Sequence, residues 1–402
     1  MFVGKERDVS VERLGDALDG RKVLLGITGG IAATQSVKLL RELRRYGAVV
    51  DVVMSRAAQR IITPLAVEWA ADCDIITDWE SSMTPLEEID AILVAPATRN
   101  LMAKHAHGVM DSPLLMALSA ARARQTPTLF VPSMHADLMN DPLTAELQHQ
   151  SRLQGTEYLW NKDEEEGKRK QPDEVEIVAQ FCHLVNRTQD GRRQVVVTLG
   201  STRSRLDDIR FIQNTSSGAT GYGIAENLHR HGHEVTVVAG CTSVQPGFEL
   251  PLVIDACDPD EMLAELRALT TCGIDAWIHA AAVLDYLNPT PQSGKHPSGE
   301  DEWSLTLRCG PKHLAELAEA TSDAVRIGFK LESGISLKDL LMRAGSFAEH
   351  QQLTAVVANR LEDMDSDSKP RAHLVLRGGE NFMLEDEASI AEALRRLIES
   401  SP

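Results

Sequence analysis

Three side chains in the second half of the chain have the types and placement to surround an anion and to neutralise a transferring phosphoryl group: Asn214, Asp285 and Lys295. Asn214 stands near the end of a polar stretch, 200–218, that closes in Asn-Thr-Ser-Ser-Gly at the start of a helical pattern. Such a stretch gathers hydroxyls, an amide and the N–H groups of a helix N-terminus around an anion. Asp285 ends the run Ala280-Ala281-Ala282-Val283-Leu284-Asp285, and Lys295 lies in a Pro/Gly/Ser-rich loop nine residues after Tyr286. A lysine on a loop facing a carboxylate at a strand's end suits a nucleotide-binding enzyme that neutralises charge on transferring phosphoryl oxygens. Taken singly, each piece has a plainer reading, as a capped helix or as a solvated surface lysine.

The first half carries a different constellation. A β-branched run leads into Thr28-Gly29-Gly30-Ile31-Ala32-Ala33 and then a helix-length segment. Gly29 and Gly30 let backbone approach a ligand, and the helix start offers N–H groups to a phosphate; close packing alone also asks for small residues there. Met54-Ser55 and Ala95-Pro96-Ala97-Thr98, followed by Asn100, end two further strands. The hydroxyl of Ser55 fits a ligand site at the sheet's carboxyl edge and a helix cap equally well.

The elements that must position these groups alternate. Short apolar runs at 23–27, 49–54, 91–95 and 128–131, then at 194–199, 234–238, 275–280, 303–307, 325–330 and 354–358, predict buried strands separated mostly by helices. The fold class expected is α/β, as two doubly wound Rossmann-like domains at 20–160 and 191–400. Between them, 161–190 reads as a linker and connecting helix: a dense polar run over 162–174 and then a helix over 174–186.

A chain of 402 residues with 43% hydrophobic residues is long enough for two cores. Its net charge of −18 disfavours nucleic acid and anionic lipid as partners. No run of about 18 apolar residues predicts a membrane span, and the expected location is the cytoplasm. The six cysteines contain no C-x-x-C pair, so neither structural zinc nor a disulfide framework is expected.

Gly-Ile-Thr-Gly-Gly-Ile-Ala-Ala, Met-Ser-x-x-Ala-x-x-Ile-Ile-x-Pro-Leu and Ala-Pro-Ala-Thr-x-Asn together resemble the flavin-binding cysteine decarboxylases, which include phosphopantothenoylcysteine decarboxylases. The resemblance implies that Gly29, Gly30, Ser55, Thr98 and Asn100 contact flavin mononucleotide (FMN). It also exposes three departures. The family's histidine ahead of the Ala-Pro-Ala-Thr strand has no counterpart in 81–86, its Pro-Ala-Met-Asn is Pro132-Ser133-Met134-His135, and 154–178 lacks the family's cysteine. Proton transfer and carboxylate holding lose their usual groups, with His135 as a replacement acid or base or a surface histidine.

The second half is similar to phosphopantothenate-cysteine ligases over 194–360: Thr-x-Gly-x-Thr-Arg-x-x-Leu-Asp-x-Ile-Arg-x-Ile-x-Asn-x-Ser-Ser-Gly, Ala-Ala-Ala-Val-x-Asp-Tyr, Gly-Pro-Lys-His-Leu, Gly-Phe-Lys-Leu-Glu and Val-Val-Ala-Asn, in the family's order. The order of the halves resembles the bifunctional proteins of coenzyme A synthesis. The resemblance implies joining of 4'-phosphopantothenate to cysteine through an acyl nucleotide, with Mg2+ and CTP or ATP. Asn214 would then serve the intermediate, Asp285 the nucleotide and Lys295 the phosphates, while Phe329 and the backbone of Ala280, Ala281 and Ala282 line the base. No metal ligand set is visible. Here too there are departures: Ala219 replaces a basic residue, His296-Pro297 replaces a second lysine, and 347–352 holds no Lys or Arg. These leave CTP against ATP open. The family's domains also imply a homo-oligomer. The alternative from another class is a non-catalytic flavin- and nucleotide-binding regulatory protein.

Overall fold

The structure, a computed structural model, describes residues 10–79, 89–162, 167–299, 302–364 and 370–401. It comprises two compact units, 1–188 and 189–402.

The strands of the first unit are β1 (Lys22–Ile27), β2 (Val49–Met54), β3 (Ile75–Ile76), β4 (Ala91–Ala97), β5 (Thr128–Pro132), β6 (Met134–His135), β7 (Thr156–Tyr158) and β8 (Lys168–Arg169). Six of them form one parallel sheet in the order β3-β2-β1-β4-β5-β7. Its central strands are continuous apolar runs because both faces are covered. Val23, Leu25 and Ile27 point to one side, where Leu39, Leu40 and Leu43 of helix Ser36–Arg45 meet them. Leu24, Ile92, Val94 and Phe130 point to the other, against helices Arg99–Ala106 and Pro113–Arg124. The helix Glu174–Asn186, expected as a connector, sets Ile177, Phe181, Cys182 and Val185 into the first of these cores.

The second unit has β9 (Gln194–Leu199), β10 (Arg203–Arg205), β11 (Phe211–Gln213), β12 (Glu234–Ala239), β13 (Leu252–Asp255), β14 (Ala276–His279), β15 (Tyr286–Leu287), β16 (Arg308–Cys309), β17 (Val325–Glu332), β18 (Ala355–Arg360), β19 (Ala372–Leu376) and β20 (Asn381–Leu384). Eight make a sheet in the order β13-β12-β9-β14-β17-β18-β19-β20, parallel as far as β18 and antiparallel beyond it. The α/β, doubly wound architecture expected from the sequence is present in both units, and in each the strand order reverses beside the first strand, at β1/β4 and β9/β14.

Two expectations fail. Residues 303–307 form no strand; Trp303 instead stacks on the His296 ring at 4.1 Å, and only Arg308–Cys309 pairs, with Tyr286–Leu287. Cys241 and Cys257 are joined as a disulfide with Cα atoms 5.1 Å apart. No local spacing could signal that pair. The cysteines lie two residues beyond Ala239 and Asp255, which are partners in the adjacent parallel strands β12 and β13. Among the described residues no helix is long and apolar enough to cross a membrane.

Candidate functional site

Open α/β sheets bind ligands beyond the carboxyl ends of their strands, where the order reverses. In the first unit the register pairs Ile27 with Met54 and Gly26 with Val94, so the turns after β1, β2 and β4 share that edge. They are tied to one another. The buried Thr28 hydroxyl donates to the Pro96 carbonyl (2.6 Å) and accepts the Thr98 N–H (3.0 Å). Thr98 caps helix Arg99–Ala106, its Oγ1 accepting from the Leu101 N–H. The Ser55 Oγ accepts the Ala58 N–H at 3.2 Å and so closes the turn after β2. A Cβ on Gly29 would stand 2.3 Å from the Ala57 Cβ, so this glycine is required by the approach of the Ser55 turn. Gly30 has more room, with Pro96 Cγ at 3.4 Å and Thr98 Cγ2 at 3.9 Å from an added Cβ. The structure thus brings Gly29, Gly30, Ser55 and Thr98 together, with Asn100 exposed in the first turn of the helix that Thr98 caps. Ser36, at the start of the helix after the glycine turn, is 1% exposed, and its hydroxyl has no hydrogen-bond partner among the described residues.

Across the same edge, β6 pairs with β8, setting His135 opposite Lys168 and Met134 opposite Arg169. His135 is exposed. The histidine-free stretch 81–86 lies outside the described residues.

In the second unit the crevice between β9 and β14 is built from backbone. The Ala282 N–H donates to the Gly200 carbonyl (2.8 Å) and the Thr202 N–H to the Ala282 carbonyl (3.1 Å). The Ala281 N–H reaches Thr198 Oγ1 at 3.2 Å. Gly200, at φ +76°, is needed there, since a Cβ would meet the Cys241 carbonyl oxygen at 2.8 Å. Asn214 Nδ2 donates to the Ala282 and Val283 carbonyls at 3.2 and 3.1 Å, so Asn214 and the run Ala280, Ala281, Ala282 are one assembly. Phe329 lies one residue beyond Gly328, the register partner of His279, and so flanks Ala280. Behind it, burial, with Arg326 and His313 near, pushes His279 down to about 3 and leaves it a neutral floor.

Asp285 is faced by a lysine, but that lysine is Lys312, which donates to its Oδ1; both side chains are more than half exposed. Lys295 is exposed and has no ion-pair partner among the described residues. Its loop is instead tied to the turn of the β10–β11 hairpin. The Gly294 N–H donates to Asp208 Oδ2 (2.8 Å), and the His296 N–H donates to Asp207 Oδ2 (3.0 Å). Burial alone would raise the Asp207 carboxyl. The N–H groups of His296, Ile209 and Arg210 and the Arg210 guanidinium outweigh it and hold the group at about 2. Lys312 and Asp207 stand in the family motifs with no role attached, and Asp208 fills an unspecified position of one of them. A pair of aspartates followed by Ile-Arg reads locally as a turn, and only the fold shows which N–H groups fill it.

Residues 191–400 match the family model described as the DNA/pantothenate metabolism flavoprotein C-terminal domain, and 12–186 match the flavoprotein model. The coenzyme A biosynthesis bifunctional protein CoaBC of Thermococcus kodakarensis is 34% identical over 359 residues, 87% of this chain and 88% of that protein. Those of Methanocaldococcus jannaschii and Bacillus subtilis are each 29% identical, over 86% and 85% of this chain and 84% and 86% of theirs.

Proposed function

Since the chain belongs to the family of bifunctional coenzyme A biosynthesis proteins, with a flavoprotein half and a ligase half, we propose that it joins 4'-phosphopantothenate to cysteine at the β9/β14 crevice. The observation that carries this is Asn214 held on the Ala282 backbone, in the crevice whose loop runs on to Asp285 and Lys312. In the proposed reaction a carboxylate oxygen attacks the α-phosphorus of CTP or ATP, and the bond to pyrophosphate breaks. The cysteine amine then attacks the acyl carbon, expelling the nucleoside monophosphate and losing a proton. Activation is needed because a carboxylate is a poor acyl donor. The Asn214 amide serves the acyl-nucleotide, the backbone of Ala280 to Ala282 and Phe329 receive the base, Asp285 meets the nucleotide, and Lys295 meets the phosphates, with Mg2+ accompanying the triphosphate.

For FMN, the glycine turn, the Ser55 and Thr98 turns and the Ser36 hydroxyl, which has no partner among the described residues, fit a phosphate-bearing group at the sheet's carboxyl edge. When bound, a flavin supplies two-electron redox chemistry. This chain's residues there bind and orient it; the three departures remove the usual proton-handling groups, so phosphopantothenoylcysteine is the expected end product. The test is product mass after incubation with 4'-phosphopantothenate, cysteine, Mg2+ and either CTP or ATP. Accumulated phosphopantothenoylcysteine supports both halves of the reading. 4'-Phosphopantetheine would overturn the reading of the flavin half, and no product with either nucleotide would overturn the ligase.

A further inference from the structure

The loop that carries Lys295 has no helix or long strand to hold it: 288–299 is turn and irregular backbone rich in Pro, Ser and Gly. Left to itself, such a segment would spread the lysine over many positions. The structure fastens it at the two peptides that flank the lysine. Gly294, at φ +78°, gives its N–H to Asp208 Oδ2, and the Asp208 N–H returns a bond to the Gly294 carbonyl at 3.3 Å. His296 gives its N–H to Asp207, while Arg210 Nη1 bridges Asp207 Oδ2 (2.9 Å) and the His296 carbonyl (3.3 Å). Beyond the lysine, the His296 ring lies flat on Trp303, 4.1 Å between centroids and 4° between planes, with Arg210 5.3 Å from the same indole. The Gln292 N–H donates to the Leu206 carbonyl at 2.9 Å, fixing the loop on the near side. Leu206, Asp207, Asp208 and Arg210 all belong to the turn that joins β10 to β11, and β11 runs directly into Asn214.

We infer that Asp207 and Asp208 are positioning residues for Lys295, holding the peptide N–H groups on either side of it so that the lysine and Asn214 are carried by one rigid hairpin. This deepens the proposed function and rests on its reading of Lys295. In this role both aspartates have their carboxylates taken up by backbone N–H groups and Arg210. They act by making the lysine's place in the ligation independent of where an unanchored loop would wander.

Asp208 is exposed, so its replacement leaves the buried Asp207 network and the fold in place. In the full chain, Asp208→Ala is expected to lower kcat for ligation on the order of 10-fold, the effect of losing one charge-assisted hydrogen bond. KM for 4'-phosphopantothenate and cysteine should stay within about two-fold, the loss falling on kcat, as expected where a residue acts only through the lysine that it positions. Asp208→Asn keeps an oxygen that accepts the Gly294 N–H and is expected to restore most of the rate. Amide hydrogen exchange should show Gly294 losing protection in D208A and not in D208N. In a Lys295→Ala background, D208A should change the residual single-turnover rate no further, because the residue it positions is gone. D208A at full turnover beside an inactive K295A overturns the inference alone, as does a D208A effect of equal size with and without the lysine. A K295A enzyme at full turnover overturns the reading of Lys295, and the inference with it.

Discussion

Gly29 and Gly30 are neighbours in one turn, yet the structure gives them opposite tolerances. A methyl on Gly29 would stand 2.3 Å from the Ala57 Cβ and 3.2 Å from the Ala57 carbonyl carbon, where ordinary contact begins at 3.4 Å. The Ser55 turn must therefore retreat by about 1 Å, and overpacking of that kind costs about 1–3 kcal/mol. In a unit of this size that corresponds to a Tm lower by roughly 3–10 °C. Gly30→Ala meets nothing closer than Pro96 Cγ at 3.4 Å, and at φ −108° its backbone suits any residue, so its stability should change by less than about 0.5 kcal/mol. The added methyl does, however, point into the gap toward Thr98 at 3.9 Å, where the proposed flavin phosphate would lie. The assay is urea unfolding of each variant by circular dichroism, paired with flavin absorbance per chain after gel filtration. G29A should lose stability and flavin together, whereas G30A should lose flavin from a fully stable fold. Equal stability of G29A and wild type would refute the packing argument. A G30A protein that keeps its full flavin would refute the placement of the ligand.

Three further outcomes follow from the second unit. Asp207 titrates at about 2 in the fold, against about 3.9 for a free carboxyl, so its stabilisation is complete above pH 4 and is lost as pH falls toward 2; in urea titrations at pH 2 to 5, Asp207→Asn should flatten that part of the acid limb. The disulfide closes a separation of 16 residues, so reduction or Cys241→Ser should cost about 3 kcal/mol, measured as the shift in the unfolding midpoint with and without dithiothreitol, with C241S insensitive to the reductant. The exposed Lys312–Asp285 pair should matter little to stability, under about 1 kcal/mol, while Lys312→Ala should raise the nucleotide KM severalfold; an unchanged KM would remove Lys312 from the site.

How far the sequence could be read depended on where each residue's partners lie. The central strands β1, β4, β9 and β14 were legible because a parallel strand covered on both faces must be apolar throughout. β13 was not, since it is a mostly exposed sheet edge, and β19 and β20 add to the far side of the second sheet as an antiparallel pair outside the strand-helix rhythm. In 303–307 the alternating Trp303, Leu305 and Leu307 imitate a strand, but the indole has a better partner in the His296 ring and the two leucines remain exposed.

The site shows the same division at the scale of side chains. Asn214, Asp285 and Lys295 are candidates through the family motifs in which they stand, since each alone also reads as part of a capped helix or a solvated surface loop. What fixes them is supplied from far along the chain. Asn214 rests on carbonyls 68 and 69 residues away, Asp285 on a lysine 27 residues on, and the peptides beside Lys295 on carboxylates 86 and 89 residues earlier. None of those partners is identifiable from residue type, because a backbone N–H is the same in every residue that can donate one, and Asp-Asp at a turn looks alike whether it meets water or a peptide. Sheet topology decides the matter: β9 and β14 must be neighbours before the loops after them can meet. Candidate residues for such a site can therefore be named from its motifs, while their placement belongs to the turns that the neighbouring strands bring within hydrogen-bond reach.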